Sequence, residues 1–573
     1  MGPAQARSIS VIGLIAATAA GARGCERLAA AWPDRTRIYR ARPVRKALAE
    51  AWAECEGVVC FLAAGAVVRL VAPLLADKAS DPGVVCVDEL HRHAVALLGG
   101  HARDANELAR AVGEVLGSTP VVTTATDATG IPGLDTLDLP VEGAVAAVTR
   151  AVLDGEPVAL REDAVWPLPA LPPNVSAREP EDVGFVLRVT DRAVPLDDGR
   201  TAVLRPPSLV VGVGASRGVS AAEVLGLVRD ALADAGLSRA SVTALATVDA
   251  KADETGITAA AQELGVPLLT YGAELLAGTE VPNPSQAPLA AVGTPSVAEA
   301  AALASADGGE LVVPKRKSAM ATAAVARLRP KGRLALVGLG PGARDLLTPR
   351  ARAELRRASV VVGLDQYLDQ VRDLLRDGTR VLASGLGSEQ DRARTAVAEA
   401  RAGHAVALVG SGDAGVYAMA SPALAEAGAD IDVAGVPGVT AALAAAALLG
   451  APLGHDHASI SLSDLHTPWE IIERRVRAAA EADLVVTFYN PRSHGRDWQL
   501  PKALGILAEH RSPATPVGVV HAASRPDERH QVTTLGALDV TTVDMVTVVT
   551  VGNTATRTVA GRMVTPRGYR WQS

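Results

Sequence analysis

Aromatic residues are scarce in this chain, at 3% of it, against 49% apolar residues, 53 glycines and 36 prolines. The apolar fraction therefore sits in Ala- and Val-rich elements separated by many turns, which supports large buried cores and excludes a wholly disordered chain. An excess of basic charge is also missing. Lys and Arg total 56 and Asp and Glu 63, a formal net charge of -7 with a pI near 5.9. No overall positive field exists to hold nucleic acid or anionic lipid, and either would need a local patch. Cysteine is confined to Cys25, Cys55, Cys60 and Cys86, with no CxxC pair and no zinc spacing. That pattern reads as buried thiols in a reducing cytoplasm and no bound metal. Long clean apolar runs are absent too: the AALAAAALLGAPLG run from Ala441 is short and is broken by Gly450 and Pro452. Arg7 precedes an apolar run from Val11 to Ala22 that imitates an export signal. Thr18 interrupts it, and it continues into CERLAAAW, as strand, turn and amphipathic helix do. A cytoplasmic location is expected, with no membrane and no nucleic-acid partner.

At 573 residues and 58.6 kDa the chain is too long for one continuous core. The expected class is multidomain α/β. Residues 1–145 alternate apolar strand candidates (SVIGLI, GVVCFLA, GVVCVD, PVVTTAT) with helical runs, one beginning near Ala105, the order of a parallel sheet. Residues 146–206 carry the Pro-rich WPLPALPPNVSAREPED and are expected to be a linker or a small connecting domain. Residues 207–328 resume the alternation from SLVVGVG. RLRPKGR then separates this unit from residues 331–573, which are long enough for two lobes: an early one with parallel strands and a late one of mixed character.

Three glycine turns follow strand candidates in the last part. GLGPG holds Gly338, Gly340, Pro341 and Gly342; it lacks both the GxGxxG order of a dinucleotide site and the Lys-Ser/Thr ending of a P-loop. GSGDAGVYAMA places Asp413, Gly415 and Tyr417 at a bend, and GVPGVTAAL puts Thr440 where it would begin a helix. Any one of these serves strand-to-helix geometry alone. Together they can enclose an adenosyl ligand through amides and carbonyls, because a sulfonium needs no triphosphate clamp. Asp413 either orients the ligand, or a neighbouring amide, or only stabilises its turn.

LVGLGPG, SGDAGVY, GVPGVTAALAAAALLGAPLGHD, SISLSDLHTPW and TFYNPRS resemble the tetrapyrrole methylases of corrin biosynthesis, in the precorrin-3B C17-methyltransferase branch, over residues 331–573. The resemblance implies two α/β lobes with S-adenosylmethionine in their cleft and the macrocycle beside it. It also implies methyl transfer to C17 with ring contraction and formation of a lactone. Ala414 stands where the family usually has proline after the central GD. Gly340, Pro341, Gly342, Asp413, Gly415 and Thr440 are the expected cofactor-pocket residues. Asp464 can accept from a pyrrole N–H, and His466 can exchange a proton or hydrogen-bond a peripheral carboxylate. For His466 a helix-start or packing role is the alternative. In FYNPRS, Tyr489 and Asn490 are placed to orient the ring and Arg492 to pair with substrate carboxylates, with a local turn network as the alternative. Arg525 and Asn553 are weaker candidates. A homodimer through the methylase domain is one expected assembly.

The first 330 residues reveal no reaction by themselves. GGHARDANELA offers His101, Asp104 and Asn106 as a ligand loop feeding a helix; GVGASRG offers backbone donors and Arg217; ATVDAKADETGI gathers Asp249, Lys251, Asp253 and Glu254. CFLAAGAVVRLVAPLLADKASDPGVVCVDE, LLGGHARDANELA, GVGASRGVSAAEV, ATVDAKADETGI, EVPNPS, VGTPSVAEAAAL and LVVPKRKSAMATAAVAR resemble cobalamin biosynthesis protein CbiG, the cobalt-precorrin-5A hydrolase family, over residues 1–328. HARDAN departs from the glycine-rich form usual there. The resemblance implies opening of a lactone with loss of acetaldehyde. Glu254 or His101 would activate water, and Lys251, Arg217 or Lys78 would bind carboxylate or oxyanion, with Asn106 on the substrate. The expected substrates are precorrin or cobalt-precorrin intermediates. The alternatives are a cobalt-factor III methyltransferase with a non-catalytic, tetrapyrrole-binding front half, and a methylase of C11, against which SDLHTPW and FYNPRS argue.

Overall fold

The computed structural model describes residues 11–568 except 41–42, 78–79, 101–102, 125–130, 132, 135–136, 138, 178–183, 286–292 and 494. The chain forms two compact units, Met1–Ala164 with Leu171–Arg329, and Val165–Ala170 with Pro330–Ser573.

Among the described residues the first unit contains three sheets. The strands GVVCF (Gly57–Phe61) and GVVCV (Gly83–Val87) are buried at every position, as strands covered on both faces must be. They lie mid-sheet in the order Thr36–Tyr39, Ile12–Ala16, Gly57–Phe61, Gly83–Val87, His93–Leu98, Thr119–Val121. Helices Ala19–Ala31 and Ala105–Leu116 pack one face through Leu28, Ala109 and Val112; Val44–Glu54 and Ala64–Val71 pack the other through Leu48, Ala51 and Val67. All four cysteines are buried in these layers as free thiols. Burial pushes Cys25 up to about 12 and Cys86 up to about 11, and raises Cys60 as well.

Segment 146–206 carries most of a second sheet, ordered Val141–Gly143, Thr201–Leu204, Phe185–Val189, Val158–Glu162, Val175–Ser176. This sheet begins before residue 146, because Val141–Gly143 pairs antiparallel with Thr201–Leu204, a long-range pairing that local composition does not mark. Arg205 is buried beneath it, with Nε 2.7 Å from Glu142 and Nη1 donating to the Thr190 and Arg192 carbonyls.

The third sheet runs Leu268–Tyr271, Val242–Val248, Leu209–Ala215, Ala321–Arg327, Glu310–Lys317. Helices Ala221–Asp234 and Thr255–Leu264 cover one face, and Ala273–Ala277 and Val297–Ser305 the other.

The second unit has an all-parallel sheet, Arg380–Ser384, Val360–Leu364, Ala405–Gly410, Arg333–Gly338, Asp432–Val436. Its other large sheet is mixed: His457–Ser461 runs parallel to Val485–Tyr489, and Thr547–Val551, Pro516–His521 and Arg529–Thr534 continue it in antiparallel fashion. Among the described residues no helix is long and apolar enough to cross a membrane.

Candidate functional site

Strand Arg333–Gly338 lies between Ala405–Gly410 and Asp432–Val436. Each ends in one of the three glycine turns, so parallel adjacency brings the turns together at the carboxyl edge, where open α/β sheets bind ligands. Gly340 and Gly412 exchange backbone bonds of 3.0 and 2.7 Å. Asp413 joins the second turn to the third: Oδ1 accepts from the Gly415 N–H at 2.8 Å and Oδ2 from the Gly438 N–H at 3.0 Å. A Cβ on Gly438 would lie 2.1 Å from the Gly412 carbonyl oxygen, and Gly340 has φ +76°. Neither position accommodates a side chain without displacing a turn.

Thr440 occupies the position before helix Ala441–Leu449, yet its hydroxyl does not cap that helix. It meets the Tyr489 hydroxyl at 2.6 Å, and that phenol oxygen accepts the Ala442 N–H at 2.9 Å. The cap is thus supplied by a strand of the second lobe. The Tyr489 ring sits 5.1 Å from that of Tyr417, whose hydroxyl donates to the Ser459 carbonyl at 2.7 Å. Burial raises the Tyr417 phenol above its ordinary value. Tyr417, Asn490, Ala522 and Ser524 all have positive φ, between 48° and 61°. Such strain persists where surrounding contacts over-determine the backbone, and it concentrates at functional sites.

Loop 522–528 reaches the same turns. Ser524 Oγ accepts from the Ala343 N–H at 3.1 Å. Arg525 Nε donates to the Pro341 carbonyl at 3.0 Å and Nη2 to Ser411 Oγ at 3.4 Å. Arg525, a weak candidate in the sequence, therefore spans two of the turns. Asn553, the other weak candidate, orders its own bend through Ala555 and Thr556.

Asn490 Nδ2 donates to Ser461 Oγ at 3.1 Å. Asp464 accepts from Gln499 Nε2 at 2.9 Å, and His466 is exposed. Arg492 takes part in the turn network that was its alternative role. Its Nη1 donates to the Val540 and Thr541 carbonyls at 3.2 and 3.1 Å, a local network that satisfies a turn. Sequence reasoning missed Arg496 and Gln499. Arg496 Nη1 donates to the Leu462 and Asn490 carbonyls at 3.0 and 2.6 Å, tying SISLSDLHTPW to FYNPRS. Gln499 is 2% exposed, and its Oε1 has no partner among the described residues. Neither residue belongs to a spacing pattern that would mark it.

In the first unit, Arg217, Lys251 and Glu254 line one cavity of about 1150 Å³. Lys251 Nζ lies 2.9 Å from Glu254 Oε2, and the Gly218 N–H donates to Oε1 at 2.7 Å. Lys251 and that amide hold the Glu254 carboxyl below the ordinary carboxylate range. A carboxylate stabilised in this way is a weak proton acceptor, so Glu254 is better built to anchor Lys251 than to activate water. Asn106 belongs to a different sheet; it is buried on Ala105–Leu116 and donates to Thr124 Oγ1 at 3.1 Å. His101 and Lys78 lie outside the described residues.

Residues 333–539 match the Tetrapyrrole (Corrin/Porphyrin) Methylases. Residues 46–127 match the Cobalamin synthesis G N-terminal family and 209–326 the Cobalamin synthesis G C-terminus. A "probable cobalt-factor III C(17)-methyltransferase" of Salmonella typhimurium is 47% identical over 239 residues, which is 41% of this chain and 99% of that protein. A cobalt-factor III methyltransferase of Priestia megaterium is 42% identical over 249 residues, 42% of this chain and 46% of that one, so the chain spans about half its length. A crystal structure of the methyltransferase CobJ is 41% identical, covering 41% of this chain and all of that one, with a TM-score of 0.40. The cofactor of these methylases is S-adenosylmethionine, and the residues present fit it. The junction of the glycine turns offers amides, carbonyls and the Asp413 carboxylate, a donor set that suits a sulfonium and opposes a polyphosphate. The chain belongs to the tetrapyrrole methylase family, carried by its carboxy-terminal unit, with amino- and carboxy-terminal CbiG regions fused ahead of it.

Proposed function

We propose that the carboxy-terminal unit methylates C17 of a precorrin-type macrocycle, with ring contraction, and that the front half opens the lactone of cobalt-precorrin-5A with release of acetaldehyde. The observation that carries the first part is the junction of the three glycine turns, the first to the second by the Gly340–Gly412 pair and the second to the third by Asp413, within a region 47% identical to nearly the whole of a relative named for C17 methylation. S-adenosylmethionine, when bound, supplies an electrophilic methyl group. The chain's own residues align it and exclude water. Gly340, Pro341, Gly342 and Gly415 give close backbone approach, Asp413 locks the turns, and Thr440 with Tyr489 fixes the helix that borders them. On the macrocycle side, Asp464, oriented by Gln499, accepts a pyrrole N–H, Asn490 orients the ring, and His466 exchanges a proton or hydrogen-bonds a peripheral carboxylate.

The sequence reading favours precorrin-3B as substrate. The names of both relatives favour cobalt-factor III. Incubation with labelled S-adenosylmethionine and each macrocycle in turn separates the two, with faster turnover of one expected.

In the front half, Lys251 and Arg217 bind carboxylate or developing oxyanion, Glu254 holds Lys251 in place, and His101 is the remaining candidate base. His101→Ala is expected to slow lactone opening by about 100-fold or more, read as acetaldehyde released from cobalt-precorrin-5A. The non-catalytic reading of the front half, which the held Glu254 carboxylate favours, predicts binding without acetaldehyde from either protein.

A further inference from the structure

At about 1150 Å³, the front-half cavity exceeds the range of roughly 300–1,000 Å³ that ordinary small ligands occupy. Val248, Val297 and Met320 give it apolar surface, and Arg217, Lys315 and Lys317 also line it. The two lysines come from one strand, and the construction of that strand explains their direction.

Glu310–Lys317 is the edge strand of its sheet, where Pro314 is tolerated. Its register shifts between Val313 and Arg316. This bulge frees the Lys315 N–H from the ladder, and that group donates to Glu299 Oε1 at 2.9 Å. Glu299 is 0% exposed and also accepts from the N–H and Nδ2 of Asn283, at 3.1 and 2.7 Å. A buried carboxylate with three donors is expensive to disturb, so it pins both the bulge and the Asn283 turn. Arg316 leaves the strand on the other side and pairs with Asp234 at 3.5 Å. Lys315 and Lys317 therefore share the cavity face.

The cations in this wall differ in their partners. Lys251 is neutralised by Glu254. Lys315 Nζ donates to the Asn283 carbonyl rather than to a carboxylate. Lys317 and Arg217 form no ion pair among the described residues. Asp249 and Asp253 line the cavity as well, so with Glu254 three carboxylates stand against four cations, and one positive charge is left over in a cavity that also has an apolar surface.

We infer that Lys315 and Lys317, with Arg217, read the peripheral carboxylates of a macrocyclic ligand whose ring face lies on the apolar part of the cavity. Glu299 is the positioning residue that aims them. The inference rests on the reading of the front half as a corrin-intermediate site and identifies what selects a carboxylated periphery there.

The test is hydrogen exchange of the full chain with and without uroporphyrin, a macrocycle with acetate and propionate arms. Wild type is expected to gain protection at residues 214–218 and 315–322, a local readout that binding in the methylase unit does not produce. Lys315→Met/Lys317→Met should need about tenfold more uroporphyrin for the same protection, as expected for lost charge-assisted contacts. Glu299→Gln should weaken protection too, and should add little to the double lysine variant, because it acts through the same side chains. Equal protection in wild type and lysine variant, or none in wild type, overturns the inference. Acetaldehyde release from cobalt-precorrin-5A is measured in parallel. Lysine-dependent protection without acetaldehyde leaves the inference standing and removes the catalytic reading. Acetaldehyde release at unchanged KM in the lysine variant does the reverse.

Discussion

Asp413 holds two turns with one side chain, which makes it the most informative single residue of the methylase unit. Asp413→Asn retains one acceptor oxygen and loses the other. We expect a cost of about 1–3 kcal/mol in unfolding free energy and weaker S-adenosylhomocysteine binding by calorimetric titration; unchanged binding would remove Asp413 from the pocket. Tyr489→Phe leaves the Ala442 N–H and the Thr440 hydroxyl without their shared partner. About 1 kcal/mol for each lost bond is expected, measured by denaturant unfolding of the full chain. In the front half, Glu254 is stabilised as the anion by Lys251 and the Gly218 amide. Its folded pKa is lowered, so its contribution to stability is fully present above the ordinary carboxylate pKa and is lost as pH falls through the lowered value. Glu254→Gln should flatten that acid limb of the stability curve, and a curve parallel to wild type would contradict the assignment.

At the scale of elements, the site is a consequence of strand order. Arg333–Gly338 sits between the other two turn-bearing strands, and the turns then pack backbone on backbone. Gly438→Ala puts a Cβ 2.1 Å from the Gly412 oxygen. The turns must separate, so S-adenosylhomocysteine binding should fall by about tenfold or more while the mixed sheet stays folded, as read by titration beside hydrogen exchange. The first two turns were legible because each closes a run of buried Val, Leu and Ala that ends in glycine, and the third by its GVPG sequence alone. Their mutual contacts were not. Arg525 meets Pro341 across 184 residues of chain and Asp464 meets Gln499 across 35, distances over which no periodicity carries information. The carbonyls that Arg492 serves, those of Val540 and Thr541, are remote in the same way. The Lys251–Glu254 cluster was legible as adjacent charge, but the aim of Lys315 depends on a bulge that the alternation of LVVPKRK does not reveal.

The whole chain divides at Arg329 and Pro330, close to the boundary placed by RLRPKGR. Its net charge of -7 means that recognition of a carboxylated macrocycle depends on local cations such as Arg217, Lys315 and Lys317. On the proposed placement of the cofactor pocket, S-adenosylhomocysteine at about 100 times its Kd should stabilise the second unit by about 2.7 kcal/mol. Scanning calorimetry should therefore show the transition of that unit moving upward, and an unmoved transition would contradict the placement. The central claim is C17 methylation, and the most direct measurement gives the full-length protein labelled S-adenosylmethionine with cobalt-factor III or precorrin-3B and locates the new methyl group by magnetic resonance. Label at C17 of a contracted ring is the predicted result; label at any other carbon would contradict the account.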